Sequence, residues 1–233
     1  MKIIGIIGAM EEEVISLRRK MELKEVHQIA GMDFYEGTMN KAQVIVVRCG
    51  IGKVNAAVCT QILIDKFSPD YIINTGVAGG LHPDVNIGDV VISSDTVEHD
   101  MDTTAFGDPK GVIPRMDNSF FEADNQLVEY AKNAANEVLK EHKVWVGRIA
   151  SGDQFVASIK VKQDIYTTFT AYCAEMEGAA IAHTCYLNKI PFVVIRAISD
   201  KADSGAEMNF EEFVNLAARN ASKMIESIIT HIR

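Results

Sequence analysis

The chain is poor in the features that mark metal centres, redox motifs, nucleic-acid grooves and membrane spans. Of its 233 residues only four are cysteine (Cys49, Cys59, Cys173 and Cys185), and no two are spaced as C-x-x-C. That removes the usual support for a structural zinc or a thioredoxin-like dithiol. Each cysteine lies among apolar neighbours and reads as a reduced, buried small hydrophobe, as expected in a reducing compartment. No Lys/Arg run stands out, and the formal net charge is −9, from 32 acidic and 23 basic side chains. A nucleic-acid binder needs a basic face to displace counterions from phosphates, so that class is set aside. No stretch approaches the ~20 apolar residues that cross a bilayer. The short apolar run in MKIIGIIGAMEEE leads straight into three glutamates, which is not the pattern of a secretory signal, so the cytoplasm is the expected location. The six histidines show no ligand spacing, and no metal is expected. Repeats, low-complexity tracts and Pro/Gly-rich linkers are missing too, so a single domain over 1–233 is expected.

What the chain does hold is a regular alternation. Apolar, β-branched runs recur at 3–7, 44–47, 71–73, 90–92, 144–149 and 192–198. Several are continuous, as in strands covered on both faces. Helix-like segments separate them at 11–21, 54–66, 126–141 and 179–187. A last one, 210–229, carries apolar residues at 210, 213, 214, 217, 221, 224, 225 and 228, with Asn209 and Glu212 as an N-cap signature. Residues 34–39 and 43–47 read as a hairpin around Asn40-Lys41. Strands interleaved with helices, plus a hairpin, predict an α/β fold with a mixed sheet between helix layers. The polar, turn-prone segment 99–118 is long enough to suggest a functional or interface loop.

Open α/β sheets bind ligands beyond the carboxyl ends of their strands. The segments at those ends here are GAMEEE (8–13), RCGIGK (48–53), TGVAGG (75–80), SGDQFV (151–156) and Ser199-Asp200. GIGKVN lacks the third glycine of a dinucleotide fingerprint and GVAGG lacks the Lys-Ser/Thr of a P-loop, so both read as tight turns that permit close ligand approach. Arg196, inside the apolar strand FVVIRAI, needs a carboxylate partner or a wet cavity, and an extended strand would set Arg196, Ile198 and Asp200 on one face. Glu175 and Glu177 share a face if extended, or one favours the following helix N-terminus. Glu11, Glu12 and Glu13 equally read as first-turn helix acids. Phe155 and Phe210 could be core residues, and Trp145 reads as core. His183, on an apolar helix, reads as a hydrogen-bonded core residue.

Taken together, IIGAMEEEV (6–14), GIGKVNAA (50–57), NTGVAGGL (74–81), HDMDTTAFG (99–107), SGDQF (151–155), AEMEGAAIAH (174–183), PFVVIRAISDKAD (191–203) and MNFEEF (208–213) closely resemble the bacterial 5′-methylthioadenosine/S-adenosylhomocysteine nucleosidases. These belong to the purine nucleoside phosphorylase-like superfamily, and the matching stretches run from end to end of the chain in order. The resemblance implies a three-layer α/β/α sandwich around a central mixed sheet, a homodimer, and irreversible hydrolysis of adenine nucleosides without a cofactor. It implies Glu13 as the base that activates water, helped by Arg196, and Asp200 as the acid at N7 of adenine. Glu177 would hold the ribose hydroxyls with Met176 against the sugar, and Phe155, Val156 and Gly79 would hold adenine. Met10, Ile51, Phe106 and Phe210 would line the alkylthio pocket, with Phe106 reaching into the partner's site. Three departures touch this pattern: Val77 stands where Ser is expected, Thr103 where a more apolar residue is, and Asp108 where an aromatic is frequent. The rival within the superfamily, a phosphorylase, would need a cationic cradle, for which Arg48 and Arg196 are available. Methylthioadenosine, adenosylhomocysteine, 5′-deoxyadenosine and aminodeoxyfutalosine all suit the same adenine and ribose contacts.

Overall fold

The apolar runs become strands that extend a little beyond them. In the computed structural model, which describes residues 2–139, 142–203 and 205–232, ten strands lie in one mixed sheet. They are β1 (Ile3–Gly8), β2 (Glu22–Ile29), β3 (Met32–Met39), β4 (Ala42–Arg48), β5 (Tyr71–Gly80), β6 (Val90–Glu98), β7 (Phe120–Glu122), β8 (Val144–Ser151), β9 (Cys173–Glu175) and β10 (Phe192–Asp200). Their order is β10-β6-β8-β9-β5-β1-β4-β3-β2, with β7 beside β6 and β10 also beside β5. Strands β1, β4, β5 and β10 are parallel neighbours, whereas the expected hairpin is the antiparallel β3–β4 pair. Every residue of β10 is buried, which is why its sequence runs unbroken in apolar types apart from Arg196, Ser199 and Asp200.

Six helices cover the sheet: α1 (Glu11–Lys20), α2 (Lys53–Phe67), α3 (Asn125–Val138), α4 (Ile159–Phe169), α5 (Gly178–Asn188) and α6 (Ala206–His231). Helices α1 and α3 pack on α6, and α2 packs on α5, giving the two outer layers. The helix expected over 126–141 is α3, and positions 140–141 lie outside the described residues. No helix among the described residues is long and apolar enough to cross a membrane.

Several expectations are corrected. The GVAGG segment is not a turn but the last five residues of β5. Asn209 does not cap α6. The helix starts a turn earlier because Asp203 takes the Gly205 N–H on its side chain (3.0 Å) and the Ala206 N–H on its carbonyl (2.9 Å). Trp145 is half-buried rather than core, and its indole N–H donates to Asp89 (3.0 Å). Strict alternation along β10 fails at its end, where a bulge between Ile198 and Asp200 shifts the register against β5. Strand β2 and helix α4 carried no expectation. Six of the eight residues of β2 are exposed, so it lacks an apolar stripe.

Candidate active site

The carboxyl ends of β1, β5, β9 and β10 meet at a cavity of about 530 Å³, closed on one side by α6. Its lining includes Met10, Glu13, Ile51, Gly79, Phe155, Met176, Glu177, Asp200 and Phe210, drawn from segments far apart in sequence. Val156 lines a small annex next to Phe155 and Asp200. Of the residues expected at the site, Arg196 and Phe106 alone line neither the cavity nor its annex. Arg196 lies beneath it, 2% exposed, while Phe106 stands on the loop after β6 at 89% exposure.

Glu13 sits in the first turn of α1, as its helix-start reading requires, but its side chain folds back to the strand ends. One carboxylate oxygen accepts N–H groups from Ala9 (2.7 Å) and Met10 (3.0 Å), and the other accepts from Val77 (3.0 Å). Burial raises its pKa above the ordinary carboxylate range, against the field of Arg196 and these three amides. Glycines of β5 make room for this arrangement. A Cβ on Gly76 would come within 2.5 Å of Glu13 Oε1 and 2.7 Å of Arg196 Nη1. One on Gly79 would meet Asp200 Oδ1 at 2.7 Å.

Arg196 has found its partners. Its guanidinium donates to Glu175, a contact that includes the salt bridge from Nη2, and to Asn74 Oδ1 (2.6 Å). Glu175 also accepts from Ser151 Oγ and from the amides of Glu177 (3.1 Å) and Gly178 (2.7 Å), so it serves the N-terminus of α5 as well. Burial opposes ionisation of Glu175, but Arg196 and these donors hold its pKa below the ordinary value. Glu177, 3.9 Å from Arg196 Nη2, receives, among the described residues, only the Gly52 amide (2.9 Å). Burial and the neighbouring Glu175 charge push its pKa up. Glu175 is the structural member of the pair.

Asp200 has a different setting. Ser199 Oγ donates to it (2.9 Å), as does the Ala202 amide (2.8 Å). Its pKa is raised by burial, which these two bonds only partly offset. Phe155 and Phe210 are not core residues: their rings meet edge to face at 5.8 Å on the cavity wall.

Sequence reasoning missed Glu207 and Glu211, which line the cavity from α6 one helical turn apart. Their i, i+4 spacing, together with Phe210, was the available signal. Among the described residues, no Lys, Arg or His lines the cavity. Arg48 is directed elsewhere, with its side chain 57% exposed and 3.9 Å from Glu11. His183 is half-buried, bonded to Glu98 (3.1 Å) and stacked on Phe121. His27 joins Glu36 (3.1 Å) and Glu25 (3.7 Å) on the β2–β3 hairpin, where Lys24 (2.5 Å) supplies a counter-charge to Glu36. All four cysteines are buried and free, and burial raises the thiol pKa of each.

A family model described as the phosphorylase superfamily matches residues 3–230. A 5′-methylthioadenosine/S-adenosylhomocysteine nucleosidase of Staphylococcus aureus is 46% identical over 231 residues, spanning 98% of this chain and all of that protein. The nucleosidase of the same name from Neisseria meningitidis, solved in complex with methylthio-immucillin-A, superposes with a TM-score of 0.95 at 42% identity over the full length of both chains. A Helicobacter pylori structure described as futalosine hydrolase superposes with a TM-score of 0.94 at 35% identity, covering 99% of this chain and 98% of that one. By these matches the chain belongs to the phosphorylase superfamily and, within it, to the family of 5′-methylthioadenosine/S-adenosylhomocysteine nucleosidases.

Proposed function

We propose that this chain, folded as one domain over 1–233, hydrolyses the N-glycosidic bond of 5′-methylthioadenosine and S-adenosylhomocysteine, releasing adenine and the thioribose. The observation that carries the reading is a cavity lined by Glu13, Glu177 and Asp200 that, among the described residues, no cationic side chain lines. A phosphorolytic nucleophile would meet carboxylates there, and the buried Arg196 beneath them is already bonded to Glu175 and Asn74, whereas water needs only an ionised base.

Cleavage builds positive charge on the sugar and negative charge on the base. Asp200, whose pKa burial raises, would in its protonated form donate to N7 of adenine as the bond breaks, with Phe155 stacked on the base and Val156 and Gly79 along its edge. Glu13, ionised and oriented by three amides, would take a proton from the attacking water. Arg196 acts from beneath through its field on Glu13 and its bond to Glu175. Glu177 would accept the ribose hydroxyls beside Met176. Met10, Ile51 and Phe210 would hold the alkylthio group. An acid and a water-activating base on opposite sides of the sugar imply inversion at the anomeric carbon. Phe106, exposed in the single chain, would complete the alkylthio pocket of a second copy in a cytoplasmic homodimer. No metal or cofactor is needed for these steps.

Incubation with 5′-methylthioadenosine in phosphate-free buffer tests the reading. Adenine and free methylthioribose in equal amounts, unchanged by added phosphate, are expected. Adenine that appears only with phosphate, beside a sugar phosphate, would overturn it.

A further inference from the structure

Glu177 is held by a single amide, that of Gly52, and the loop carrying that amide is anchored by charged residues outside the cavity. Lys53 N–H donates to Asp153 Oδ1 (2.8 Å), Lys53 Nζ donates to Asp100 Oδ1 (2.5 Å), and Asp153 N–H donates to Asp100 Oδ2 (2.9 Å). These three bonds close a ring through three loops: β4–α2, the segment after β6, and β8–α4. The segment after β6 is further fixed to β8 by the His99 N–H on Ser151 O (2.9 Å). Its imidazole lies so close to Gly152 that a Cβ there would collide with the ring.

The geometry of the β4–α2 loop makes the ring consequential. Gly50 and Gly52 have φ of +88° and +95°, a region other residues rarely adopt, so the loop has little intrinsic rigidity. Asp153 Oδ1 would lie 3.1 Å from a Cβ at Gly52, so its carboxylate presses against the residue whose amide meets Glu177. Lys53 also lies 3.8 Å from Glu98, which accounts for the rest of its charge. Asp100 is kept below the ordinary carboxylate range, with burial outweighed by Lys53 and the Asp153 amide, so the ring is ionic at neutral pH. The same Asp153 lies two residues before Phe155, which lines the cavity.

We propose that Lys53, Asp100 and Asp153 form a positioning clasp that sets the Gly52 amide, and through it the Glu177 carboxylate, for the ribose hydroxyls. None of the three lines the cavity, and their effect passes through Glu177. The proposal rests on the reading that Glu177 holds the ribose.

A double-mutant cycle on adenine release tests it. Asp153→Ala is expected to lower kcat/KM by roughly ten- to a hundredfold, as small misplacements of binding groups do. In a Glu177→Gln background the same substitution should cost less than about threefold, because the group it positions is already gone. Asp153→Asn keeps an oxygen for the Lys53 amide and should recover most of the loss. An equal loss in both backgrounds, or no loss in a folded Asp153→Ala protein, overturns the clasp. Should Asp153→Ala fail to fold, Asp100→Asn carries the same cycle with the same two outcomes. A wild-type rate unaffected by Glu177→Gln alone would instead overturn the ribose assignment.

Discussion

The two ends of the cavity solve the burial of carboxylates in opposite ways. Around Arg196, Glu13, Glu175 and Glu177 share a single buried guanidinium. At the other end, Asp200 has a hydroxyl and one amide, and burial dominates its setting. One cation cannot satisfy three carboxylates. Glu175 takes the direct bonds of Arg196 and stays below the usual range, while Glu177 is left above it. Glu13 is raised by burial too, yet three amides and the Arg196 field pull towards its charged form. Burial alone therefore does not assign roles. The donors around each group shift the balance: amides and a guanidinium favour the charged form, and their scarcity favours the neutral one.

The comparison breaks first at its two reactive ends. Asp200→Asn keeps the shape of the group but cannot give up a proton, so kcat should fall by about 10²–10⁴-fold. Glu13→Gln should fall by a similar factor. Their pH profiles separate them. Asp200 must be protonated, so wild-type activity falls as pH rises through its elevated pKa, and the residual activity of Asp200→Asn should lack that alkaline limb. Glu13 must be ionised, so activity falls as pH drops through its elevated pKa, and Glu13→Gln should lack the acid limb. Stopped-flow adenine release across pH checks both. Variants that keep both limbs would mean that other groups carry the protons.

Glu175→Gln tests the structural member. Glu175 and Arg196 side chains are each 2% exposed, so removing one charge leaves the other buried without its partner. Breaking such a pair costs about 3–5 kcal/mol. Urea denaturation should show a loss of that order. A change under about 1 kcal/mol would mean that Asn74 and Glu177 absorb the guanidinium, and that the division between structural and reactive carboxylates is wrong.

The sequence was most legible where burial is complete and least where function distorts local rules. Strands β1, β4 and β10 stood out because both faces are covered and β-branched residues run unbroken. Strand β2 was invisible because its edge position leaves it polar. GVAGG misled as a turn because glycine usually serves conformation. Gly76 and Gly79 instead serve space, keeping the backbone clear of Glu13, Arg196 and Asp200. Arg196 in an apolar strand was a sound signal that a buried partner existed, but spacing alone left open whether Glu175 or Glu177 would take it. That choice depends on the turn between β9 and α5, where Glu175 also meets the amides of Glu177 and Gly178. Assignment of base, acid and sugar-binding roles came from the family resemblance, not from periodicity.

Glu177→Gln sharpens the Arg196 end through stability. Glu177 is raised from the ordinary 4.5 to about 8. Between these values the folded state binds more protons than the unfolded one, so wild-type stability falls as pH rises through this window. The Gln variant has no proton to lose and should show a flatter profile, with a stability advantage over wild type that grows towards pH 8. Urea midpoints measured from pH 5 to 8 check this. A wild-type midpoint that does not change across the window, or a variant less stable at pH 8, would show that Glu177 is ionised throughout and that Arg196 satisfies it as well as it does Glu175.

Phe106→Ala carries the smallest expected effect and compares the exposed loop with the buried walls. In the single chain Phe106 is 89% exposed, so its removal should leave folding stability within about 0.5 kcal/mol. If a second copy delivers the ring to the alkylthio end of the cavity, kcat/KM for 5′-methylthioadenosine should still fall, by roughly tenfold for a lost apolar contact. The loss should be smaller for adenosine, whose 5′-hydroxyl gains little from an aromatic wall. Because the ring would act between copies, the variant should retain wild-type rates for steps confined to adenine and ribose. Full activity of Phe106→Ala on both substrates, or a wild-type monomer at micromolar concentration with full activity by sedimentation, would confine the site to the residues of one chain.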